Sequence, residues 1–399
     1  MVKTKNSTKV LAILVALILI LTALIFIIPN RQTQTVEAAE LTPEQHAERR
    51  ATPGLYETGT TDLITRWEDL VSSGVITVSS GSFKVNSNIS KGDLVCKSID
   101  NLTTLANIFE NCANLTMIDC YNLNTSNVTD MSCMFMGCTE LKSIVFGNFA
   151  TNLVDNMGSM FTNCTNLVEL DLSSFNTSNV TISAQMFFGC SSLKTLNLSN
   201  FNTDKINNFM MMFSGCNINE LNISSFKFSS SSDTTGILGL HYEDIKNMFG
   251  DETANQVFYG KDKVDLTEDK MVDDNSKVEN FVQIIINFGM ANNENEARQM
   301  AKAYLITSIN KIVAPKTIIP SDIKIALPGA TGYMASGSKA TEPVFTLNGM
   351  EGKTLVPFSS SQDVPSTGVV SNMLSVVICL ACLSALVITL TNKKRKMVK

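Results

Sequence analysis

Apolar residues recur at fixed spacings through the middle of the chain. Between residues 99 and 232, five segments align on a cysteine, and successive cysteines are 26 residues apart. The five are Cys112, Cys138, Cys164, Cys190 and Cys216. In the first four segments a leucine follows the cysteine by three residues, another aliphatic residue follows three later, and an apolar residue follows two later. Each segment is therefore predicted to contribute one short strand and the same apolar face.

The spacing LxxLxL with a period of 20–29 residues is the signature of leucine-rich repeats. One repeat cannot bury its own apolar face, so stacked repeats form a continuous core with parallel strands about 4.8 Å apart. An aromatic column extends that core in later repeats at Phe149, Phe175 and Phe201. We predict a leucine-rich-repeat solenoid with short parallel strands and 26-residue repeats over residues 99–232.

The segments on either side of the repeats have different patterns. Residues 39–98 are predicted to form an N-terminal α+β cap. The spacing of Leu63, Ile64, Trp67 and Leu70 predicts a short helix, and a strand is predicted after Gly74. Trp67 is predicted to pack over the first repeat. "SSSSDTTG" at 229–236 is predicted to be a break. Residues 233–313 show helical periodicity and are predicted to be a C-terminal helical cap or small domain, and residues 314–363 a Pro-, Gly- and Ser-containing spacer.

The cysteine column is predicted to be buried and unreactive. Neighbouring repeats bring equivalent Cα atoms within disulfide range, but five thiols that point the same way cannot pair evenly. A metal site would need closely spaced cysteine pairs or several histidines, and the chain has only His46 and His241. We expect no metal and no cofactor.

Both chain ends combine basic and apolar segments. Residues 1–38 are predicted to be a secretory signal peptide, with Val36 and Ala38 at the small positions of the cleavage site. An uncleaved anchor is the alternative, because the apolar run is long enough to span a bilayer. Near the other end, an uncharged segment at 369–390 has the length of a transmembrane helix and precedes a basic tail.

Residues 364–399 resemble the cell-wall sorting signal of Gram-positive surface proteins. The pentapeptide Val364, Pro365, Ser366, Thr367 and Gly368 is similar to the LPxTG motif, with valine in place of leucine. The resemblance implies that a sortase cleaves between Thr367 and Gly368 and links the threonine to peptidoglycan. It also implies passage through the membrane during export and a final location at the cell wall or cell surface.

The repeat sequence, "FNTSNVT" followed by "MFxGC", resembles that of the BspA-type leucine-rich repeat surface proteins of bacteria. The resemblance implies an unidentified host or matrix protein ligand, and a glycan is the other candidate class.

Charge and motif content disfavour two classes of function, nucleic-acid binding and catalysis. The net charge is −6, both ends are basic, and the middle of the chain is therefore strongly acidic, which disfavours nucleic-acid binding. No nucleotide-binding glycine loop, HExxH or GxSxG motif occurs, so we predict that the chain is not an enzyme.

In LxxLxL the intervening positions face outward and define a possible ligand surface. It comprises Met117, Asp119, Tyr121, Ser143, Val145, Glu169, Asp171, Thr195 and Asn197. We predict a surface-anchored protein that binds or adheres to host, matrix or neighbouring-cell ligands. The alternatives are a structural stalk that binds nothing and a membrane protein with two uncleaved spans.

Overall fold

The computed structural model describes residues 41–263, 271–317, 333–335 and 349–357. The chain forms two compact units, with the boundary between Leu193 and Lys194. The predicted signal peptide, with Val36 and Ala38, and the predicted sorting signal at 364–399 lie outside the described residues. Within the described residues, no helix has both the length and the apolar character that a membrane span requires.

The first unit begins with an α+β segment. Helix α1 (Pro43–Ala51) precedes strands β1 (Gly54–Tyr56) and β2 (Leu63–Arg66), helix α2 (Trp67–Ser72), and the antiparallel hairpin β3 (Ile76–Ser79) and β4 (Ser82–Val85). The predicted helix thus begins at Trp67, and the prediction that it includes Leu63 and Ile64 is wrong. Those two residues lie in a strand that pairs antiparallel with β1.

Repeats in the first unit stack through parallel ladders. Strands β5 (Gly92–Val95), β6 (Leu115–Asp119) and β7 (Ser143–Val145) are parallel, and β1 adds antiparallel to β5. A second ladder of single parallel bridges joins Thr104, Asp130, Asn156 and Ile182 of successive turns. The leucine-rich-repeat solenoid with 26-residue turns is therefore confirmed.

Aromatic rings form the centre of this core. The rings of Phe109, Phe135, Phe161 and Phe187, one per repeat, are stacked with centroids 5.4, 5.5 and 5.7 Å apart. Trp67 contacts Phe83 of the hairpin at 5.6 Å, and Phe83 contacts Phe109 at 5.8 Å. Trp67 therefore reaches the first repeat through Phe83, which extends the aromatic column into the cap.

The cysteine column is buried, as predicted, and each thiol has a hydrogen-bond acceptor. The Sγ atoms of Cys138, Cys164 and Cys190 donate to main-chain carbonyl oxygens of the preceding turn at 3.1, 3.2 and 3.1 Å. The acceptors are Phe109, Phe135 and Phe161, respectively. Burial raises the pKa of Cys112 and of Cys190 to about 12, so these thiols stay protonated at neutral pH.

The second unit contains the fifth repeat and a sixth turn that the sequence did not reveal. Strands β8 (Thr195–Asn197), β9 (Asn217–Ile218) and β10 (Glu220–Asn222) lead to this turn. Its first half includes Asp233, which forms a parallel bridge with Asn208, and Ile237, whose carbonyl accepts from Phe213 N–H at 2.9 Å. The segment predicted to be a break at 229–236 is therefore part of a turn.

In the described part of the insertion, four helices interrupt the sixth turn before it is completed. They are α3 (Tyr242–Phe249), α4 (Asp251–Tyr259), α5 (Asp274–Asn287) and α6 (Glu294–Leu305). Strands β11 (Ser308–Ile309) and β12 (Ile312–Val313) then pair parallel with β9 and β10. The predicted helical periodicity of residues 233–313 does not extend to its end, because α6 ends at Leu305 and Ile312 belongs to a strand.

Part of the predicted spacer has regular structure. Strand β14 (Thr354–Pro357) pairs antiparallel with β12, and β13 (Tyr333–Ala335) pairs antiparallel with β14. The sheet order in this unit is β13-β14-β12-β10-β8. Antiparallel strands thus cover the parallel edge that β12 would otherwise present, which protects it from pairing with another chain.

Candidate binding surface

The outward positions of the repeats carry aspartate and asparagine side chains that shape the chain as well as the surface. In the first unit, Asp119 Oδ1 and Asp171 Oδ1 each accept a hydrogen bond of 2.9 Å from the N–H two residues on. In the second unit, Asn197 and Asn222 make the same bond at 3.1 Å. This Asx geometry stabilises the turn after each strand. The bonds to Ser173 also lower the pKa of Asp171, which therefore carries a full charge at neutral pH.

Helix α1 covers the first part of the outward surface. Its Arg50 places Nε 2.9 Å from Asp119 Oδ2, and its guanidinium lies 4.1 Å from the centre of the Tyr121 ring. Asp119 is only 1% exposed and Met117 only 7%. The expectation that Met117 and Asp119 are open to a ligand is therefore wrong.

Arg49 is the second arginine that holds α1 in place, and it is more deeply buried than Arg50. Arg49 is fully buried, and its Nη1 lies 3.0 Å from Asp93 Oδ2 in an ion pair that is almost completely shielded from water. Its Nη2 donates to the carbonyl oxygens of Glu57 and Thr60. Because a buried ion pair is costly to break on one side only, this contact anchors α1 to the cap.

His46 is the third polar residue of α1 at this contact. Its Nδ1 lies 3.8 Å from Asp119 Oδ2. Burial lowers the pKa of His46 below its ordinary value, and the nearby Asp119 carboxylate opposes that effect only in part. The packed helix therefore favours the neutral imidazole.

Beyond α1, and among the residues that the structure describes, the outward surface of the first unit stays accessible. Ser143, Glu169 and Asp171 are exposed and Val145 is half-buried. Val168, beside Glu169, is 41% exposed. Residues 168–171 do not belong to a regular strand in the described structure. The arrangement therefore combines apolar side chains with two adjacent carboxylates.

Two residues of the repeat pattern are less buried than the pattern predicts. Ile144 and Leu170 occupy the middle apolar position of LxxLxL, yet both are half-buried. The equivalent Ile118 of the first repeat is fully buried. Sequence reasoning predicted all three as core residues, so the accessible apolar area here is larger than expected. Such a surface can contact an apolar group and neutralise a cation.

The outward residues of the second unit have different surroundings. Thr195 and Asn197 are exposed. Glu220 is half-buried, and its Oε2 lies 2.9 Å from Lys311 Nζ on the completed sixth turn. Its carboxylate is thus already paired.

The described residues contain no group of three or more His, Cys, Asp or Glu side chains placed to hold a metal ion. The predicted sortase and cleavage residues lie outside them, so those predictions stay predictions.

Sequence reasoning missed the role of α1. The signal was present in "PEQHAERRA", where proline at the first helical position marks a short helix and Arg49 and Arg50 in its last turn can pair with carboxylates. Its partners Asp93 and Asp119 lie far along the chain, and nothing in the local pattern joins them.

Comparisons with known proteins find similarity over part of the chain. A family described as Mycoplasma protein of unknown function, DUF285, matches residues 77–167, 103–226 and 142–254 in overlapping segments. No curated protein matches the chain.

Two solved structures are similar over part of the chain. A leucine-rich repeat protein of Treponema pallidum is 18% identical, with 36% of this chain and 64% of that chain covered, at a TM-score of 0.25. A leucine-rich repeat protein of Bacteroides ovatus is 16% identical, with 39% and 51% covered, at a TM-score of 0.19. The chain thus spans less than two thirds of either structure, and its own ladders and stacked core define the fold.

Proposed function

We propose that this chain is a surface-anchored leucine-rich repeat protein that binds a protein or glycan ligand and acts in adhesion. The observation that carries the proposal is the contrast along the outward surface of the first unit. Where α1 covers it, aspartates hold arginine side chains; where it is uncovered, Glu169, Asp171 and half-buried apolar residues remain open. The ligand we propose presents basic or hydroxyl groups beside an apolar group.

The anchoring part of the proposal comes from the sequence. The resemblance of 364–399 to a sorting signal and of the repeats to BspA-type surface proteins supports export, sortase cleavage at Thr367 and attachment to peptidoglycan. Thr367→Ala tests it: the wild type should be released by wall-digesting enzymes, and the variant should stay in the membrane fraction. Extraction of the wild type by detergent alone would favour a protein with uncleaved spans.

Binding is tested by removing charge without disturbing the turn. Asp171→Asn keeps the Asx hydrogen bond, since asparagine makes it at positions 197 and 222, and Glu169→Gln keeps side-chain size. The double variant should reduce adhesion of cells that display the protein about 5-fold or more, because each charged contact is worth about 1 kcal/mol. Asp204→Asn, an exposed carboxylate paired with Lys227 in the second unit, is the matched control.

The stalk alternative is supported by the same Asx bonds, which give Asp171 a purely structural task. If the double variant is displayed normally and adheres like the wild type, binding at this surface is refuted and the stalk is favoured.

A further inference from the structure

Two cysteines outside the repeat column occupy equivalent positions at the ends of neighbouring strands. Val95 of β5 pairs with Asp119 of β6, and Cys96 N–H donates to Asp119 O at 2.9 Å, so Cys96 and Cys120 follow in register. Both are fully buried. Equivalent Cα atoms on parallel neighbours lie about 4.8 Å apart, which is within the range that disulfides span.

These two thiols differ from those of the column in what they contact. The column thiols Cys138, Cys164 and Cys190 donate to main-chain carbonyls of the preceding turn. The thiols of Cys96 and Cys120 lie close enough to interact with each other, and the Cys96 thiol contributes to the raised pKa of Cys120. Together with the register of β5 and β6, this proximity brings the pair within reach of a bond.

We propose that Cys96 and Cys120 form a disulfide that links the N-terminal cap to the first repeat. The oxidant is a small-molecule or protein disulfide. The thiolate of one cysteine attacks a sulfur of the oxidant and displaces one thiolate, which leaves a mixed disulfide. The second cysteine, as thiolate, then attacks the protein sulfur and displaces the other half. The two cysteines lose two protons and two electrons, and the oxidant becomes two thiols.

Burial determines when this reaction takes place. Burial and the adjacent thiol raise the pKa of Cys120 well above its ordinary value, so the thiolate is scarce in the packed state. The bond therefore forms during folding or when the cap opens, before the strands close over the sulfur atoms.

The linkage strengthens the part of a solenoid that is most prone to fray. A terminal repeat has a neighbour on one side only, and the cap protects its apolar face. Because Cys96 follows β5 and Cys120 follows β6, the bond fixes these two strands in register.

Peptide mapping of the full chain tests the proposal without any substitution. The protein is refolded from urea with a mixture of reduced and oxidised glutathione, its free thiols are alkylated, and it is cleaved with a protease specific for the N-terminal side of aspartate. That cleavage places Cys96 in peptide 93–99 and Cys120 in peptide 119–129, each with no other cysteine. We expect these two peptides to be joined, with a mass lower than their sum by two hydrogen atoms.

The column supplies the matched control, because Cys164 lies alone in peptide 155–170 and Cys112 alone in peptide 100–118. Both should be recovered alkylated. The disulfide should raise the Tm of the oxidised protein by about 5 °C or more over the reduced protein, and Cys96→Ala should abolish that difference. Recovery of peptides 93–99 and 119–129 as alkylated monomers, or equal cross-linking of the column cysteines, would overturn the proposal.

Discussion

The corner before each of the first four column cysteines is shaped by a column that alternates asparagine and glycine. Asn111, Gly137, Asn163 and Gly189 all adopt the left-handed backbone, with φ of 59°, 75°, 58° and 72°. A Cβ added to Gly137 would lie 2.3 Å from Asn111 Oδ1, and one on Gly189 would lie 2.3 Å from Asn163 Oδ1. Each asparagine therefore uses the space that the next glycine leaves open.

Gly137→Ala should destabilise the protein by about 2–4 kcal/mol, because a left-handed backbone costs alanine about 1–2 kcal/mol and the clash adds to it. Removing the side chain above it, in Asn111→Gly with Gly137→Ala, should recover a large part of that loss. Urea-denaturation midpoints measure both effects. Gly74→Ala is the control, since Gly74 has φ of 77° and no atom within 4 Å of an added Cβ. If Gly74→Ala and Gly137→Ala lowered the free energy of unfolding equally, the contact with Asn111 would add no strain at position 137.

Thiol reactivity should follow burial along the repeats. Cys133 is half-exposed and Cys164 fully buried, and burial raises the pKa of both, that of Cys164 much further. In native protein under reducing pretreatment, iodoacetamide should modify Cys133 at least 10-fold faster than Cys164, because only exposed thiolate reacts. When labelling is followed peptide by peptide over residues 41–263, Cys133→Ala should remove the fast phase, and urea should make the cysteines of this range equivalent. A fast phase that survives in Cys133→Ala would place a reactive thiol elsewhere.

At the scale of single elements, α1 owes its position to side chains rather than to its length. Thr42 and Gln45 form a capping box at its start, but a helix of nine residues is too short to be stable alone. Its contacts with Asp93 and Asp119 provide the missing stability.

Docking of α1 should weaken in mild acid. Burial lowers the pKa of His46 below its ordinary value of 6.5, with Asp119, Asp93, Arg49 and Arg50 as its charged neighbours. As pH falls through 6.5, the undocked state takes up a proton that the docked state resists, so the stability of docking falls. Hydrogen exchange of residues 43–51 should therefore accelerate between pH 7.5 and pH 5.5 after correction for intrinsic rates. His46→Gln should flatten this dependence, and an unchanged pH profile in that variant would assign the effect to another group.

Element boundaries show where local sequence loses its predictive value. The buried leucine that follows each column cysteine by three residues was predictable because the same spacing recurs in every early repeat. Leu115, Leu141 and Leu167 are all fully buried. Leu63 and Ile64 fit a helical pattern, yet they lie in strand β2, where the next residue, Thr65, pairs with Leu55 of β1. Long-range pairing overrides a short local pattern, and a single sequence does not display such pairing. For the same reason the contact of Arg50 with Asp119 was not predicted from the repeat.

At the scale of the whole molecule, the sixth turn is a repeat divided by four helices. Its apolar residues Ile309, Ile312 and Ala314 keep the LxxLxL spacing and are buried. They escaped prediction because α3–α6 separate them from Ile237 in the first half of the turn. The two ends of the insertion are adjacent, since Leu240 N–H donates to Tyr304 O at 2.8 Å.

Replacing residues 241–303 with a short glycine linker should therefore leave the remaining turns folded. The measurement is hydrogen exchange at Leu221 and Ile223, whose N–H groups donate to Lys311 and Val313 across the closing turn at 2.9 and 3.1 Å. Both amides should stay protected in the shortened protein. Loss of protection there, with the first unit still protected, would show that the helices are needed to hold β12 in place.

The divided turn also sets the order in which this protein can be completed during synthesis. Strand β10 pairs with β8 on one side and with β12 on the other, and β12 leaves the ribosome roughly 90 residues later, an interval of about 5–20 s. During that time the row of main-chain donors and acceptors at Leu221 and Asn222 is open to any strand that arrives first.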